Sequence, residues 1–300
     1  MGHKTGAPWV LVANPTAGSG KGQKAAENAA RALERAGHSI DLHFTRARGH
    51  APELARAAVN DGAQRLILCG GDGTVREVLP VLAQTPTALG LLPFGTGNDL
   101  ARALGIPRRI DAAVQVQLNG RPRALDLGKI GDHLFCTVAA LGFDAEISHA
   151  MASGRIPISG TLGYLYAALK HLSTYRFPQV SLTGEFGVCQ GKMLLVASGN
   201  TSSYGGGLQI APHADPWDGK LDVCIVGAVS KSTVLRMLPR VFSGNHLRHP
   251  AVRVERTAWL KIETAEPRSV QADGEYLCET PVLIETQAAS LQVIMPATGH

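Results

Sequence analysis

Apolar residues in the first part of the chain fall in short uninterrupted runs, each followed by a polar turn and then by apolar residues at helical spacing. The runs Trp9 to Ala13, Arg65 to Cys69 and Ala88 to Phe94, together with the alternating stretch Ser39 to Thr45, predict four strands. Gln23 to Ala36, closed by Gly37 as a C′ residue, reads as an amphipathic helix, and a second helix ends near Asn60-Asp61-Gly62. Val75 to Leu82, Leu100 to Leu104 behind Asn98 as N-cap candidate, and Arg109 to Gly120 complete the helical set. Repeated strand, turn and helix predict an α/β fold with a doubly wound, mostly parallel sheet, its polar turns at the carboxyl ends of the strands.

The pattern changes at Arg121-Pro122-Arg123. Beyond it, short β-rich runs separated by turns predominate: Leu125 to Lys129, His133 to Ala139, Val180 to Leu182, Lys192 to Ser198, Lys220 to Val226, Val252 to Glu255, Trp259 to Glu263, Ser269 to Asp273 and Pro281 to Ile284. Two helices interrupt them, Leu162 to Thr174 and Lys231 to Phe242. An antiparallel β-sandwich or barrel with a helical excursion is expected. The expected domains are residues 1–123, joined by a returning C-terminal strand at 289–300, and residues 124–288.

Three of the turns carry chemistry. In Gly70-Gly71-Asp72-Gly73-Thr74, glycines allow close backbone approach just where a helix begins and its N–H groups lack partners, an arrangement suited to a phosphate group. The turn Asn14-Pro15-Thr16-Ala17-Gly18-Ser19-Gly20-Lys21-Gly22 is not a Walker A loop, because Gly22 stands where Ser or Thr must follow the lysine. It remains a glycine-rich turn with Asn14 at its mouth and Lys21 near the next helix. The third, Gly95-Thr96-Gly97-Asn98-Asp99, ends the fourth strand. Three such turns on one edge favour a nucleotide site over three unrelated loops.

Charge and cysteine content narrow the function classes. A net charge of +5 without a Lys or Arg block gives no nucleic-acid grip but suits an anionic phospholipid face. Cys69, Cys136, Cys189, Cys224 and Cys278 are odd in number and scattered, as reduced thiols of a cytoplasmic protein would be, and no CxxC pair suggests zinc. His43, His50, His133, His149, His213, His246 and His249 make no metal spacing and read as scattered polar residues. No apolar stretch reaches transmembrane length, and the first residues lack a signal-peptide core. A cytoplasmic protein, at most peripheral at the inner membrane face, is expected.

With these turns in hand, the sequence resembles the diacylglycerol kinase catalytic family, bacterial soluble lipid kinases that share their fold with sphingosine and ceramide kinases. The matching segments are Asn14-Pro15 with Gly18 and Gly20, Gly49-His50-Ala51, Gly70 to Thr74, Pro93 to Arg102, Asp126-Leu127-Gly128, Gly142-Phe143-Asp144, Asp218 to Asp222 and Asp273-Gly274-Glu275. They span nearly the whole chain in the family's order.

The resemblance implies transfer of a phosphoryl group from ATP to a lipid primary hydroxyl, diacylglycerol giving phosphatidic acid being the leading case. Nucleotide contacts are implied at Asn14, Pro15, Thr16, Ala17, Gly18, Thr45, Gly70, Gly71, Asp72, Gly73, Thr74, Val75, Arg76 and Thr96. Glu275 is implied as the base that takes the hydroxyl proton, with Asp72 as the competing base. Asp215, Asp218 and Lys220 resemble a structural Mg²⁺ element, and a catalytic Mg²⁺ arrives with ATP, met through water by Asp72, Asp99 or Asp126. Without the resemblance, Asp273-Gly274-Glu275 reads as a turn and Asp215 to Lys220 as an Asx-type turn. Tyr164, Tyr166, Leu169 and Leu172 form a stripe that reads as core or as a lipid-facing surface flanked by Lys170 and His171.

A sphingoid base or phosphatidylglycerol is an alternative acceptor. A catalytically silent nucleotide-binding regulator, an NAD kinase and a sugar kinase are further alternatives. An exposed strand of the second domain is a candidate for pairing across a homodimer.

Overall fold

A computed structural model describes residues 8–143, 147, 166, 170–172 and 175–297. Asp144, Tyr164, Leu169 and most of the expected helix from Leu162 to Thr174 lie outside the described residues. The chain divides into two compact units, Met1–Leu125 with Ala289–His300, and Asp126–Ala288.

The first unit runs β1 (Trp9–Ala13), α1 (Gly22–Arg35), β2 (Ile40–Phe44), α2 (His50–Asn60), β3 (Arg65–Gly70), α3 (Asp72–Leu82), β4 (Ala88–Pro93), α4 (Asp99–Ala103) and α5 (Ile110–Asn119). All five residues of β1 and all six of β4 are buried, which is what a parallel strand covered on both faces requires. The strands lie in the order β4-β3-β1-β2, every pair parallel, with Ala13 beside Phe44 and Cys69, and Gly70 beside Pro93. The winding reverses between β1 and β3, so the turn after β1 and the turn after β3 are neighbours at a switch point. Near the C-terminus Val293 pairs in parallel with Leu89 of β4, and Ile294 packs with Ala88 and Val116.

The second unit is antiparallel. Its elements are β5 (Arg121–Ile130, whose first residues belong to the first unit), β6 (His133–Phe135), β7 (Val138–Gly142), β8 (Gln179–Gly184), β9 (Gly187–Gly199), β10 (Leu221–Gly227), α6 (Lys231–Val241), a 3₁₀ turn (Asn245–Arg248), β11 (Val252–Thr257), β12 (Trp259–Thr264), β13 (Ser269–Ala272), β14 (Glu275–Glu279) and β15 (Val282–Met295). The order β14-β13-β7-β9-β8-β12-β15 carries β10 and β11 as a branch on β9. Alternate residues of β10 serve two cores: Leu221, Val223 and Ile225 pack with Phe135 and Leu260, whereas Cys224 and Val226 pack with Phe143 and Met237.

The expected fold class holds, with local differences. β5 begins at Arg121 and runs through Pro122, so the change of character at Arg121 to Arg123 is the start of a strand. The run Pro281 to Ile284 and the returning strand expected at 289–300 fall largely in one strand, β15, that ends at Met295 and bends at Ala289, whose φ is 51°. β14 was not anticipated.

Candidate active site

The three glycine-rich turns meet along the carboxyl ends of the parallel strands. Asn14 N–H donates to Cys69 O at 3.0 Å, Thr45 N–H to Ala13 O at 2.9 Å, and Phe94 N–H to Gly70 O at 2.8 Å, so each turn is tied to its neighbour strand. Side chains are excluded between them. A Cβ on Gly71 would stand 2.9 Å from Gly95 Cα, one on Gly18 would stand 2.4 Å from the Phe94 ring, and one on Gly22 would meet Asn14 O at 2.1 Å. Gly18 and Ser19 both adopt left-handed backbone, with φ near 60°, and Asn14 Oδ1 holds the turn by accepting from Thr16 N–H and Thr16 Oγ1. Pro15, Thr16 and Ala17 therefore follow Asn14 on a turn fixed by the chain itself.

Gly73 is different. Its backbone is not left-handed, and an added Cβ would meet nothing within 4 Å, a combination that no other glycine among the described residues shows. Glycine in a helix costs about 0.5–1 kcal/mol relative to alanine, and here the chain gains neither conformation nor packing for that cost. The open space beside the first turn of α3, with Gly70, Gly71 and Thr74 around it, fits a group that comes up against the backbone from outside. Val75 is buried, so only its backbone faces this edge, while Thr16, Gly73 and Thr96 are exposed and Asp72, Thr74 and Arg76 half-buried.

Asp72 joins the second and third turns. Its Oδ1 accepts Asp99 N–H at 2.6 Å, at the start of α4, and Asp99 pairs with Arg102, which also donates to Gly97 O. Asn98 does not cap α4 as its position suggested. It takes left-handed backbone, φ 52°, and its side chain exchanges two hydrogen bonds with Gly95, at 2.8 and 2.7 Å. The α4 amide is satisfied by Asp72 instead, a pairing across 27 residues. Only the i, i+3 spacing of Asp99 and Arg102 signalled this network in advance.

In the second unit, Asp273 and Gly274 form the two-residue turn between β13 and β14, with φ 49° and 78° and Ala272 opposite Glu275. Left-handed backbone at both positions is the hairpin geometry that Asp-Gly favours. The Asp273 carboxylate accepts from Thr137 N–H at 2.8 Å, Thr137 Oγ1 at 2.6 Å and Cys136 N–H at 2.9 Å, which fixes the half-buried Glu275 at the first position of β14. Asp126 is buried and accepts Gly219 N–H at 2.7 Å, fastening the turn from Asp215 to Lys220.

That turn is held by its own polar groups. Asp215 Oδ1 accepts Trp217 N–H, Asp218 accepts Lys220 N–H and pairs with Arg256, and the Lys220 ammonium reaches Glu185 at 3.3 Å. Asp222 was not among the expected site residues, yet it is buried, and its Oδ2 has no hydrogen-bond partner and lies 3.8 Å from Arg256 Nε. Burial pushes its carboxyl above the usual carboxylate range, against the pull of Arg256. Among the described residues no group of three or more His, Cys, Asp or Glu side chains is arranged to hold a metal ion.

His246, expected as a scattered polar residue, is wholly buried behind α6, where it contacts Ile210 O at 3.2 Å. Burial lowers its pKa, and burial pushes the nearby Cys224 thiol up to about 12. Both side chains are therefore neutral core residues at pH 7.

A doubly wound parallel sheet with glycine turns on its carboxyl edge and an antiparallel second unit define a two-unit α/β protein with a phosphate-suited rim. Residues 8–130 match the diacylglycerol kinase catalytic domain, and residues 137–295 match the YegS C-terminal NAD kinase beta sandwich-like domain. The chain belongs to the diacylglycerol kinase catalytic-domain family and is a kinase. It is similar to a diacylglycerol kinase of Mycobacterium tuberculosis (strain ATCC 25618 / H37Rv), with 36% identity over 99% of this chain and 97% of that protein. It is also similar to a YegS-like protein of Pseudomonas savastanoi pv. phaseolicola (strain 1448A / Race 6), with 32% identity over 87% and 85% of the two chains. The crystal structure of a diacylglycerol kinase from Bacillus anthracis str. Sterne shares the fold, with a TM-score of 0.76, 22% identity and 96% of each chain covered. No helix among the described residues is long and apolar enough to cross a membrane.

Proposed function

We propose that the protein transfers the γ-phosphoryl group of ATP to the primary hydroxyl of diacylglycerol, giving phosphatidic acid and ADP. The observation that carries this reading is the open, unforced Gly73 at the head of α3, in the midst of turns that exclude side chains. Backbone N–H groups at the start of α3 would face the phosphates, because a helix N-terminus carries unpaired donors and partial positive charge. The turn from Asn14 to Gly18, with Thr45, Thr96 and the backbone of Val75, would frame the nucleotide, and Arg76 or Lys21 would meet phosphate charge.

In the transfer, the lipid oxygen bonds to the γ-phosphorus as the bond to the bridging oxygen of ADP breaks, and the hydroxyl proton passes to the Glu275 carboxylate. Asp72 already accepts Asp99 N–H, which favours it as an organiser of the turns and Glu275 as the base. Mg²⁺ carried by ATP supplies neutralisation of phosphate charge when bound. A structural Mg²⁺ held by Asp215, Asp218 and the backbone of Lys220 would compete with Arg256 for the Asp218 carboxylate.

The acceptor is tested by incubating the protein with labelled ATP and mixed micelles of diacylglycerol, phosphatidylglycerol or a sphingoid base. Label in phosphatidic acid is expected. Label in another lipid alone would reassign the acceptor, and no labelled lipid at all would end the proposal.

A further inference from the structure

Between Asp222 and Glu255 lie 32 residues without a single Asp or Glu, although 24 acids in 300 residues would place about two or three there. The same stretch carries Lys231, Arg236, Arg240, Arg248 and Arg253, all exposed. Arg253 pairs with Glu255 of its own strand. Arg236, Arg240 and Arg248 have no acidic partner among the described residues. Such an imbalance confined to one folded segment exceeds what the modest charge of the whole chain requires.

The helix in this stretch needs no further partner to fold. Ser230 caps α6 by accepting Thr233 N–H, and the inner side of the helix, Val234, Met237, Leu238 and Val241, roofs an apolar cavity of about 60 Å³ against Leu194 and Ile210. On the outer side Leu235 is 39% exposed, one turn from Lys231 and next to Arg236. A leucine held in solvent among cations is the arrangement of a helix that lies on a lipid interface, with the apolar side chain entering the headgroup layer and the cations meeting lipid phosphates.

We propose that the outer face of α6 and the following 3₁₀ turn, through Arg236, Arg240, Arg248 and Leu235, docks the protein on an anionic phospholipid surface. The inference rests on the lipid-kinase reading, since a water-insoluble acceptor must be met at its bilayer. It rests on residues other than those of the glycine turns and Glu275. An exposed leucine on the same helix as Lys231, Arg236 and Arg240 favours a membrane over a nucleic acid, which would use the charges and leave Leu235 in water.

The test is flotation of the full-length protein with vesicles of phosphatidylcholine alone or with about one-third phosphatidylglycerol. Wild type should bind the anionic vesicles, release at high salt, and ignore the neutral ones. Joint replacement of Arg236, Arg240 and Arg248 by Gln should weaken binding about a hundredfold, near fivefold per cation. Leu235→Ser should weaken it several-fold, and Arg31→Gln, on the first unit, should not. Equal binding of the triple variant and wild type would overturn the proposal, as would equal binding to neutral vesicles or tighter binding to an oligonucleotide than to vesicles. Phosphorylation of a dispersed short-chain diacylglycerol is read separately and should match in wild type and triple variant. If wild type fails that assay, the lipid-kinase reading falls while the vesicle result still decides the docking face.

Discussion

Of the four Asp-Gly dipeptides in the chain, Asp72-Gly73 in the first unit and Asp273-Gly274 in the second do different physical work. In the second, glycine is demanded by backbone, φ 78°, and the aspartate is consumed by bonds to Cys136 and Thr137. In the first, ordinary backbone and empty surroundings leave glycine without an internal purpose. A residue that the fold explains belongs to the fold. One that the fold leaves unexplained, on a rim where side chains are excluded, points outward to a ligand.

The sharpest test of this contrast is the residue that the second turn presents. Under the proposed chemistry Glu275→Gln removes the base and should lower kcat by about 10²–10⁴-fold, the usual range for general-base loss. Turnover near that of wild type would hand the role to another group. Asp273→Ala, two positions earlier, should act oppositely, through stability. Its loss strands the donors of Cys136 and Thr137, and about 3 kcal/mol of destabilisation is expected by denaturant unfolding. A stable Asp273→Ala protein would mean that the hairpin is held elsewhere.

Exchanging the two glycines for alanine gives a crossed prediction. Gly73→Ala should raise thermal stability, by about 0.5–1 kcal/mol, yet reduce kcat/KM for ATP by roughly ten- to a hundredfold by displacing the phosphates. Gly274→Ala should cost about 1–2 kcal/mol, because alanine resists left-handed backbone, while the folded fraction keeps most of its affinity for ATP. Should Gly73→Ala bind ADP as tightly as wild type in a thermal-shift titration, the comparison between the turns would collapse.

How far the sequence reached can be judged on the same turns. Three of the parallel strands, β1, β3 and β4, were legible because apolar runs such as Leu66 to Cys69 need burial on both faces and a glycine turn follows each, whereas the edge strand β2 showed only alternation. β14 was illegible because Glu275 to Glu279 alternates weakly and is half-exposed at a sheet edge, where packing leaves little mark. Asn98 misled by type: asparagine caps helices and also enters left-handed backbone, and only the position of Asp72 on another element decides which. The burial of Asp222 and His246 depends on strands and helices that pack over them from elsewhere in the chain, information absent from local pattern.

His246 provides the smallest expected effect and places the contrast on stability rather than turnover. Its imidazole is buried in the second unit with its pKa lowered, chiefly by desolvation. The folded state thus resists protonation that the unfolded chain accepts near pH 6.5. Between the folded and unfolded pKa values the unfolded state binds more protons, so stability is complete above about pH 6.5 and declines as pH falls below it. Melting temperatures of wild type should therefore drop more between pH 7.5 and 5.5 than those of His246→Leu. Parallel curves for the two proteins would show that this histidine does not feel its burial, and would remove it from the groups that the second unit encloses for the sake of its own fold.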